Sequence, residues 1–249
     1  PNAIDGLKTS LRKILFAALK RNLTNEIKVA QFSGYVSEHS GYHHGEMSLN
    51  KAIIGMAQWF VGSNNINILM PNGQFGTRLQ GGKDSASERY IFTKLNTITR
   101  AIYPELDDHI LKYLDDDGFP VEPVHYGPII PMILVNGSKG IGTGFSCDIP
   151  PFNPTQIIQY MQAKITGNPT HLIDIDVYYE GFKGEVRKVD DRRYLIKGKC
   201  TVIDEKRVHI SELPIGTWSD DYKEYLETLI DGDGKKKNGV LKEYEDMSS

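Results

Sequence analysis

Gly81-Gly82-Lys83-Asp84-Ser85-Ala86-Ser87-Glu88-Arg89-Tyr90-Ile91-Phe92 sets an arginine directly before a tyrosine, at the end of a loop of small residues. A tyrosine hydroxyl can act as a covalent nucleophile. Its unperturbed pKa of about 10 makes it a poor one at neutral pH unless its proton is drawn off or the group it attacks is neutralised. Arg89 brings a fixed positive charge beside it. Composition alone supports a plainer reading as well, with Arg89 a surface cation and Tyr90 a half-buried aromatic opening a strand over 90–92.

Outward from this stretch, Gly73, Gly76, Gly81 and Gly82 make a glycine-rich connection. It is either a flexible linker or a β-wing whose backbone, free of side chains, can approach DNA closely. As a wing it would carry Arg78, Lys83, Arg89 and Tyr90 towards the place reached by His44. Upstream, helical spacing predicts three helices. In the first, Leu7, Leu11, Ile14, Leu15 and Ala18 recur on one face, with Lys8 and Arg12 one turn apart on another. That basic face is either a solvated surface or a set of phosphate contacts. A second helix is predicted over 28–38 and a third over 46–60. Between them lies the turn Ser40-Gly41-Tyr42-His43-His44-Gly45. Helix, glycine-bearing turn, helix is the outline of a DNA-binding unit and equally of helical hairpins that bind no DNA. The paired histidines can cap or pack a surface, or they can donate to a phosphate oxygen or relay a proton. Adjacent rings with no third ligand nearby do not suggest a metal site.

Downstream, a helix is predicted over 93–103. The carboxylates Asp107, Asp108, Asp115, Asp116 and Asp117 that follow read as a solvated loop, with Mg²⁺ binding as the alternative. Residues 129–135 read as a buried strand-like run and 136–144 as a loop. In that loop Ile141, between Gly140 and Gly142, either plugs a core or stands proud as a wedge. From Pro154 the texture changes to a helix over 155–165, short strands over 182–189, 193–199, 201–203 and 208–210, and a last helix over 220–229. Asp231-Gly232-Asp233-Gly234 reads as a turn before Lys235-Lys236-Lys237. The expected class is α+β, with the division between two domains falling between Gly127 and Pro131.

At 249 residues, 39% hydrophobic and 24% charged, the chain is long enough for one or two packed domains. A net charge of −3 does not by itself suggest a polyanionic partner. Residues 1–30, however, carry six basic side chains against two acidic ones, so positive charge is concentrated locally. Cys147 and Cys200 have neither zinc-ligand spacing nor disulfide density, which implies a reducing, intracellular setting. No leader or membrane-spanning run is expected. The opening on Pro1 and the polar last residues read as a piece of a longer protein.

Five signatures stand in one order: Asp5-Gly6-Leu7-Lys8, Tyr42-His43-His44-Gly45-Glu46, Gly73-Gln74-Phe75-Gly76-Thr77-Arg78, Arg89-Tyr90, and Asn136-Gly137-Ser138-Lys139-Gly140-Ile141-Gly142-Thr143-Gly144. The set resembles the DNA breakage-reunion region of type IIA DNA topoisomerases in the eukaryotic form. The likeness is strong to about Pro150 and looser beyond, where Ile210-Ser211-Glu212-Leu213-Pro214 and Thr217-Trp218 still fit. Thr9-Ser10-Leu11, where the family commonly has Pro-Gly-Gln, departs from the pattern and with Ala101-Ile102-Tyr103 hints at a viral or protist source.

The resemblance implies a winged-helix cleavage domain over 1–130 and an incomplete tower domain over 131–249, both parts of a larger multidomain enzyme. Tyr90 would be the nucleophile that forms a 5′-phosphotyrosyl bond, with Arg89 and His44 at the scissile phosphate. Lys8, Arg12, His43, Arg78 and Lys83 would contact DNA, and Ile141 would enter between base pairs and bend the duplex. Mg²⁺ would be held by a Toprim segment and ATP by an ATPase domain, both outside this chain, which has no Glu-Gly-Asp followed by Asp-x-Asp. Double-stranded DNA and a second copy of the chain are the implied partners. The implied place is the nucleus for a cellular enzyme, the host cytoplasm or virion for a viral one. The competing readings are a winged-helix DNA-binding protein without enzymatic activity and a structural dimerisation module. Simple binding has no need of Arg89-Tyr90 together with His44 and Ile141.

Overall fold

The computed structural model describes residues 1–167, 174–231 and 240–248. The first unit is helical: α1 (Thr9–Lys20), α2 (Val29–Ser40) and α3 (Glu46–Ala57). Each contributes an apolar stripe to one core, with Ile14 and Leu15 from α1, Phe32 and Val36 from α2, and Leu49 and Ile53 from α3 all buried. α2 ends at Gly41, whose φ of +58° is the left-handed conformation that stops a helix and that glycine adopts without strain. The turn that follows therefore departs sharply and holds the two histidines outside the helix.

Against the helices lies a three-stranded antiparallel sheet in the order β1 (Ile27–Lys28), β3 (Phe92–Leu95), β2 (Leu69–Asn72). The helix predicted over 93–103 is corrected here. Its first residues form the central strand of this sheet, pairing Thr93 with Ile27 on one side and Pro71 on the other. Thr93 is buried, and its hydroxyl donates to the Met70 carbonyl at 2.8 Å. Only the single turn α4 (Thr99–Ile102) remains helical. A β-branched residue whose backbone is claimed by two neighbouring strands gains more from the ladder than from a helix.

A 3₁₀ segment (Glu105–His109) leads into the hairpin of β4 (Tyr113–Asp116) and β5 (Phe119–Pro123). The strand expected at 129–135 is instead the short helix α5 (Met132–Val135). Pro128 and Pro131 cannot donate to a ladder, and Leu134 closes a turn onto the Pro131 carbonyl. The loop expected at 136–144 is largely a second hairpin, β6 (Ser138–Ile141) against β7 (Ser146–Ile149). Next comes α6 (Pro154–Ile165), capped by Asn153, whose side chain accepts from the Thr155 and Gln156 amides.

The two-stranded ribbons β8 (Glu185–Asp190) with β9 (Arg193–Lys197), and β10 (Lys199–Asp204) with β11 (Arg207–Glu212), are mostly exposed. α7 (Ser219–Asp231) follows them. Beyond Asp231, the predicted turn at 231–234 and the lysines 235–237 lie outside the described residues. The mixed helix-and-sheet class agrees with expectation. The core does not part at 130/131, because Met132, Val135 and Ile157 belong to the same buried cluster as the first three helices.

One side chain ties the two ends of this core together. Asn65 donates to the carbonyls of Val135 at 2.9 Å and Tyr178 at 3.0 Å, and its oxygen accepts from the Glu180 amide at 2.8 Å. Beside it, Asn136 exchanges two hydrogen bonds with the Ile66 backbone, as donor at 2.8 Å and acceptor at 2.9 Å.

Candidate functional site

The loop between β2 and β3 is held in shape by its own polar groups. The Asp84 carboxylate accepts from the Thr77 amide at 2.9 Å and the Thr77 hydroxyl at 2.6 Å. Partial burial raises the Asp84 pKa, but the hydrogen bonds from Thr77 outweigh it and hold the carboxyl below its ordinary value. Gln58, just past α3, donates to the Phe75 carbonyl at 2.8 Å. The close packing explains the glycines. A Cβ on Gly81 would lie 2.2 Å from the Trp218 ring, and one on Gly82 would lie 2.4 Å from Gln58 Nε2. Trp218 also packs edge-on against Phe60, with ring centroids 6.0 Å apart. The glycine-rich stretch is therefore a docked structure rather than a slack linker.

Arg89 and Tyr90 emerge from the end of this loop. The Tyr90 amide donates to the Ser87 carbonyl at 2.9 Å, closing a turn, and Ile91 is buried directly behind it. The first two amides of α2, Val29 and Ala30, bind the carbonyls of Ile91 and Glu88 at 3.0 and 3.1 Å. Backbone bonds and a buried isoleucine thus fix the pair at the N-terminal end of α2, while the Tyr90 side chain itself is 73% exposed. The reading of Tyr90 as a half-buried strand opener does not hold, since β3 begins only at Phe92.

At the other end of α2 a cleft of about 720 Å³ is lined by Lys8, Lys13, His43, His44, Asp116 and Glu122, among others. His44 stands edge-on to the buried ring of Tyr42, with centroids 5.4 Å apart. His43 Nε2 lies 3.5 Å from Asp116 Oδ2. Lys8 is exposed at the N-cap of α1. Lys13 is occupied at the floor of the cleft, where its ammonium donates to the buried Glu122 carboxylate at 2.7 Å and to the Ser40 carbonyl. Three predicted site residues, Lys8, His43 and His44, are brought together here. Arg89, Tyr90 and Lys83 are absent from the cleft lining. The expectation that the wing delivers Tyr90 to His44 within one chain is therefore corrected. The two groups flank opposite ends of a twelve-residue helix, which is roughly 18 Å long.

Two predicted phosphate ligands are committed elsewhere. Arg12 is buried, and its guanidinium binds both oxygens of the buried Asp5, at 2.7 and 3.0 Å. Asp5 also accepts from the amides of Leu7 at 2.9 Å and Tyr126 at 3.0 Å, so its charge is fully compensated. Arg78 donates to the Leu213 carbonyl at 2.7 Å and sits against Glu212 in a close ionic contact that is not aligned as a hydrogen bond. It fastens the loop to the segment after β11 and does not face solvent as a DNA ligand would. Lys83 remains exposed. Ile141, at the end of the β6–β7 hairpin, is 90% exposed and does not plug a core.

Several structural contributors were not singled out in the sequence, namely Asp84, Gln58 and Asn65. They are polar residues in turn-rich stretches whose long-range partners leave no local pattern. Among the described residues no group of three or more His, Cys, Asp or Glu side chains could hold a metal ion. The donor set of the cleft, with two lysines beside its carboxylates, does not fit Mg²⁺. No helix among the described residues is long and apolar enough to cross a membrane.

The family model that describes the DNA gyrase/topoisomerase IV A-chain type matches residues 1–249. DNA topoisomerase 2 of Arabidopsis thaliana is 51% identical over 253 residues, covering 100% of this chain and 17% of the relative. The probable DNA topoisomerase 2 of Dictyostelium discoideum is 55% identical over 234 residues, covering 92% of this chain and 15% of the relative. This chain thus spans about a sixth of the length of the curated relatives it matches. Among solved structures, the Plasmodium falciparum topoisomerase II DNA-binding, cleavage and re-ligation domain superposes with a TM-score of 0.95 at 51% identity, over 100% of this chain and 33% of that one. A family match along the whole chain, with relatives at about half identity and a near-superposable fold, places this protein in the DNA gyrase/topoisomerase IV family, among the eukaryotic DNA topoisomerase 2 sequences.

Proposed function

We propose that this chain is the DNA-cleaving portion of an ATP-dependent type II DNA topoisomerase, with Tyr90 as its nucleophile. The observation that carries the reading is the Arg89-Tyr90 pair, held by backbone bonds at a helix end with its phenol open to solvent. In the reaction the Tyr90 oxygen attacks the scissile phosphorus and gives up its proton. An O–P bond forms to the 5′ phosphate, the P–O3′ bond breaks, and the 3′-hydroxyl leaves protonated. One phosphodiester replaces another, so the break is close to balanced in energy, and the reverse attack by the 3′-hydroxyl reseals it.

Arg89 is suited to hold the non-bridging oxygens as charge develops on them, and His44 to donate to them. Lys8, His43 and Lys83 offer phosphate contacts, and Ile141 is the apolar wedge that bends the duplex. Mg²⁺ held outside this chain would supply charge neutralisation at the phosphate. ATP, bound by a further domain, would drive passage of a second duplex. On this reading residues 1–130 form a winged-helix cleavage domain and 131–249 the beginning of a tower. The enzyme would work in the nucleus of a cell, or in the host cytoplasm or virion of a virus.

The separation of Tyr90 from His44 along α2 bears on the assembly. One copy cannot present both to the same phosphate, so the reading requires a homodimer in which each cleavage site takes Tyr90 and Arg89 from one copy and His44 and Lys8 from the other. Replacing Tyr90 with phenylalanine in the full-length enzyme removes only a hydroxyl. Covalent protein–DNA adduct should vanish while DNA affinity changes less than about twofold, because binding rests on many phosphate contacts. Adduct persisting in Tyr90→Phe would assign the chemistry to another residue.

A further inference from the structure

The β6–β7 hairpin carries a second large apolar side chain at its end. Its last strand pair is Ile141 with Ser146, and the four residues between them close with the Gly142 amide donating to the Phe145 carbonyl at 2.9 Å. Phe145 is 89% exposed, as open as Ile141. Cross-strand partners share a face of a ribbon and neighbours along a strand alternate, so Ile141 and Ser146 lie on one face and Phe145 belongs to the other. The residues around them are slight: Gly140, Gly142 and Gly144 have no side chains, and Thr143 is small. The end of the ribbon is therefore thin and apolar on both sides. Docking against a flat surface would cover one of these side chains and leave the other in water. Entry into a slot with two walls covers both.

We propose that Phe145 is a second DNA-contacting side chain of this hairpin, packing against the sugar wall of the minor groove while Ile141, on the opposite face, parts the base step. The inference rests on the reading of Ile141 as a wedge. A wedge that bends the duplex away from itself opens the minor groove, and this makes room for a ribbon end whose turn is mostly glycine. Phe145 then limits how deep the hairpin goes and holds it in place. Its role is to position the bent duplex, with no part in the chemistry.

The test uses full-length enzyme with Ile141→Ala, Phe145→Ala, Phe145→Leu and the double alanine variant. The DNA carries 2-aminopurine at the parted step and 5-iodouracil at flanking positions. Because both side chains are exposed, all variants should keep the thermal stability of the parent. Ile141→Ala should abolish the 2-aminopurine brightening that reports unstacking. Phe145→Ala should keep some brightening, bind the bent duplex roughly five- to tenfold more weakly and lose the iodouracil crosslink at this position, with Phe145→Leu restoring most of the affinity. Undiminished affinity in Phe145→Ala, or a crosslink that maps away from Phe145, overturns the proposal while the wedge stands. Unchanged brightening in Ile141→Ala overturns the wedge itself, and with it the premise for Phe145.

Discussion

Lys8 and Arg12 show how far a single residue can depart from the pattern that flags it. They are spaced four apart and read as one basic face, yet α1 begins at Thr9, so Lys8 stands outside the helix as its N-cap. Helical spacing does not relate it to Arg12. The Asp5 carboxylate, seven residues upstream of Arg12, takes that guanidinium into the core. The two alanine variants should therefore behave differently. Lys8→Ala should leave stability within about 0.5 kcal/mol and lower the slope of log affinity against log salt by up to about one. Arg12→Ala leaves a buried, uncompensated carboxylate and should destabilise by about 3–5 kcal/mol. Urea unfolding and DNA titrations at several salt concentrations separate the two; equal effects on binding with no loss of stability would restore the basic-face reading. Ile141→Ala should change stability by less than about 0.5 kcal/mol, as expected for an exposed side chain, and a loss of several kcal/mol would return it to the core. The identities of Tyr90, His44 and Ile141 were legible because motif and exposure agree. The fates of Arg12 and Arg78 were not, because their partners lie on segments that sequence spacing cannot reach.

Among the elements, the loop from Gly73 to Ile91 combines the most constraint with the least regular structure. Gly81 has a φ of +62° and no room for a Cβ against Trp218. Gly81→Ala should therefore lift the ring away and loosen the loop, seen as faster proteolysis between residues 77 and 84 and a red-shifted tryptophan emission. Asp84 sets the pH behaviour of the same loop. Its folded pKa is depressed, so its contribution is complete above the unfolded carboxyl value of about 3.9 and is lost as pH falls through the lower folded value. Hydrogen-exchange protection of the Thr77 amide should hold steady down to about pH 4 and then decline, relative to intrinsic exchange. In Asp84→Asn that acid-dependent decline should disappear; its survival would point to another group. The helices α1, α2, α3 and α6 were legible within a few residues from their apolar periodicity. The misread elements, β3 and α5, are short segments whose state is set by neighbours, by two flanking strands in one case and by two prolines in the other.

For the whole molecule, one buried cluster runs from α1 to α6, while the ribbons β8–β9 and β10–β11 add almost nothing to it. Amides of these ribbons should exchange well before those of α1 and α3, and equal protection would mean a single cooperative unit. Asn65→Ala removes bonds to three separate segments and should cost about 1–3 kcal/mol, with the effect spread over both ends of the core. The position of Tyr90 and His44 at opposite ends of α2 supports a sharper test on mixed dimers. Pairing a Tyr90→Phe copy with a His44→Ala copy should leave one fully equipped cleavage site and yield nicked DNA with covalent adduct. If each site drew both residues from one copy, the same mixture would give none.

The contact between Trp218 and Gly81 has a mechanical meaning. The ring rests directly on backbone, with no side chain between them to absorb a shift, and the same segment grips the loop through Arg78 and through the Asp220 amide, which donates to the Leu79 carbonyl at 3.1 Å. A rotation of residues 212–220 by a few tenths of an ångström is transmitted to the loop that ends in Tyr90 rather than dissipated on the way. The attacking oxygen is in effect geared to the C-terminal half of the chain, and an indole fluorophore sits where the gears mesh.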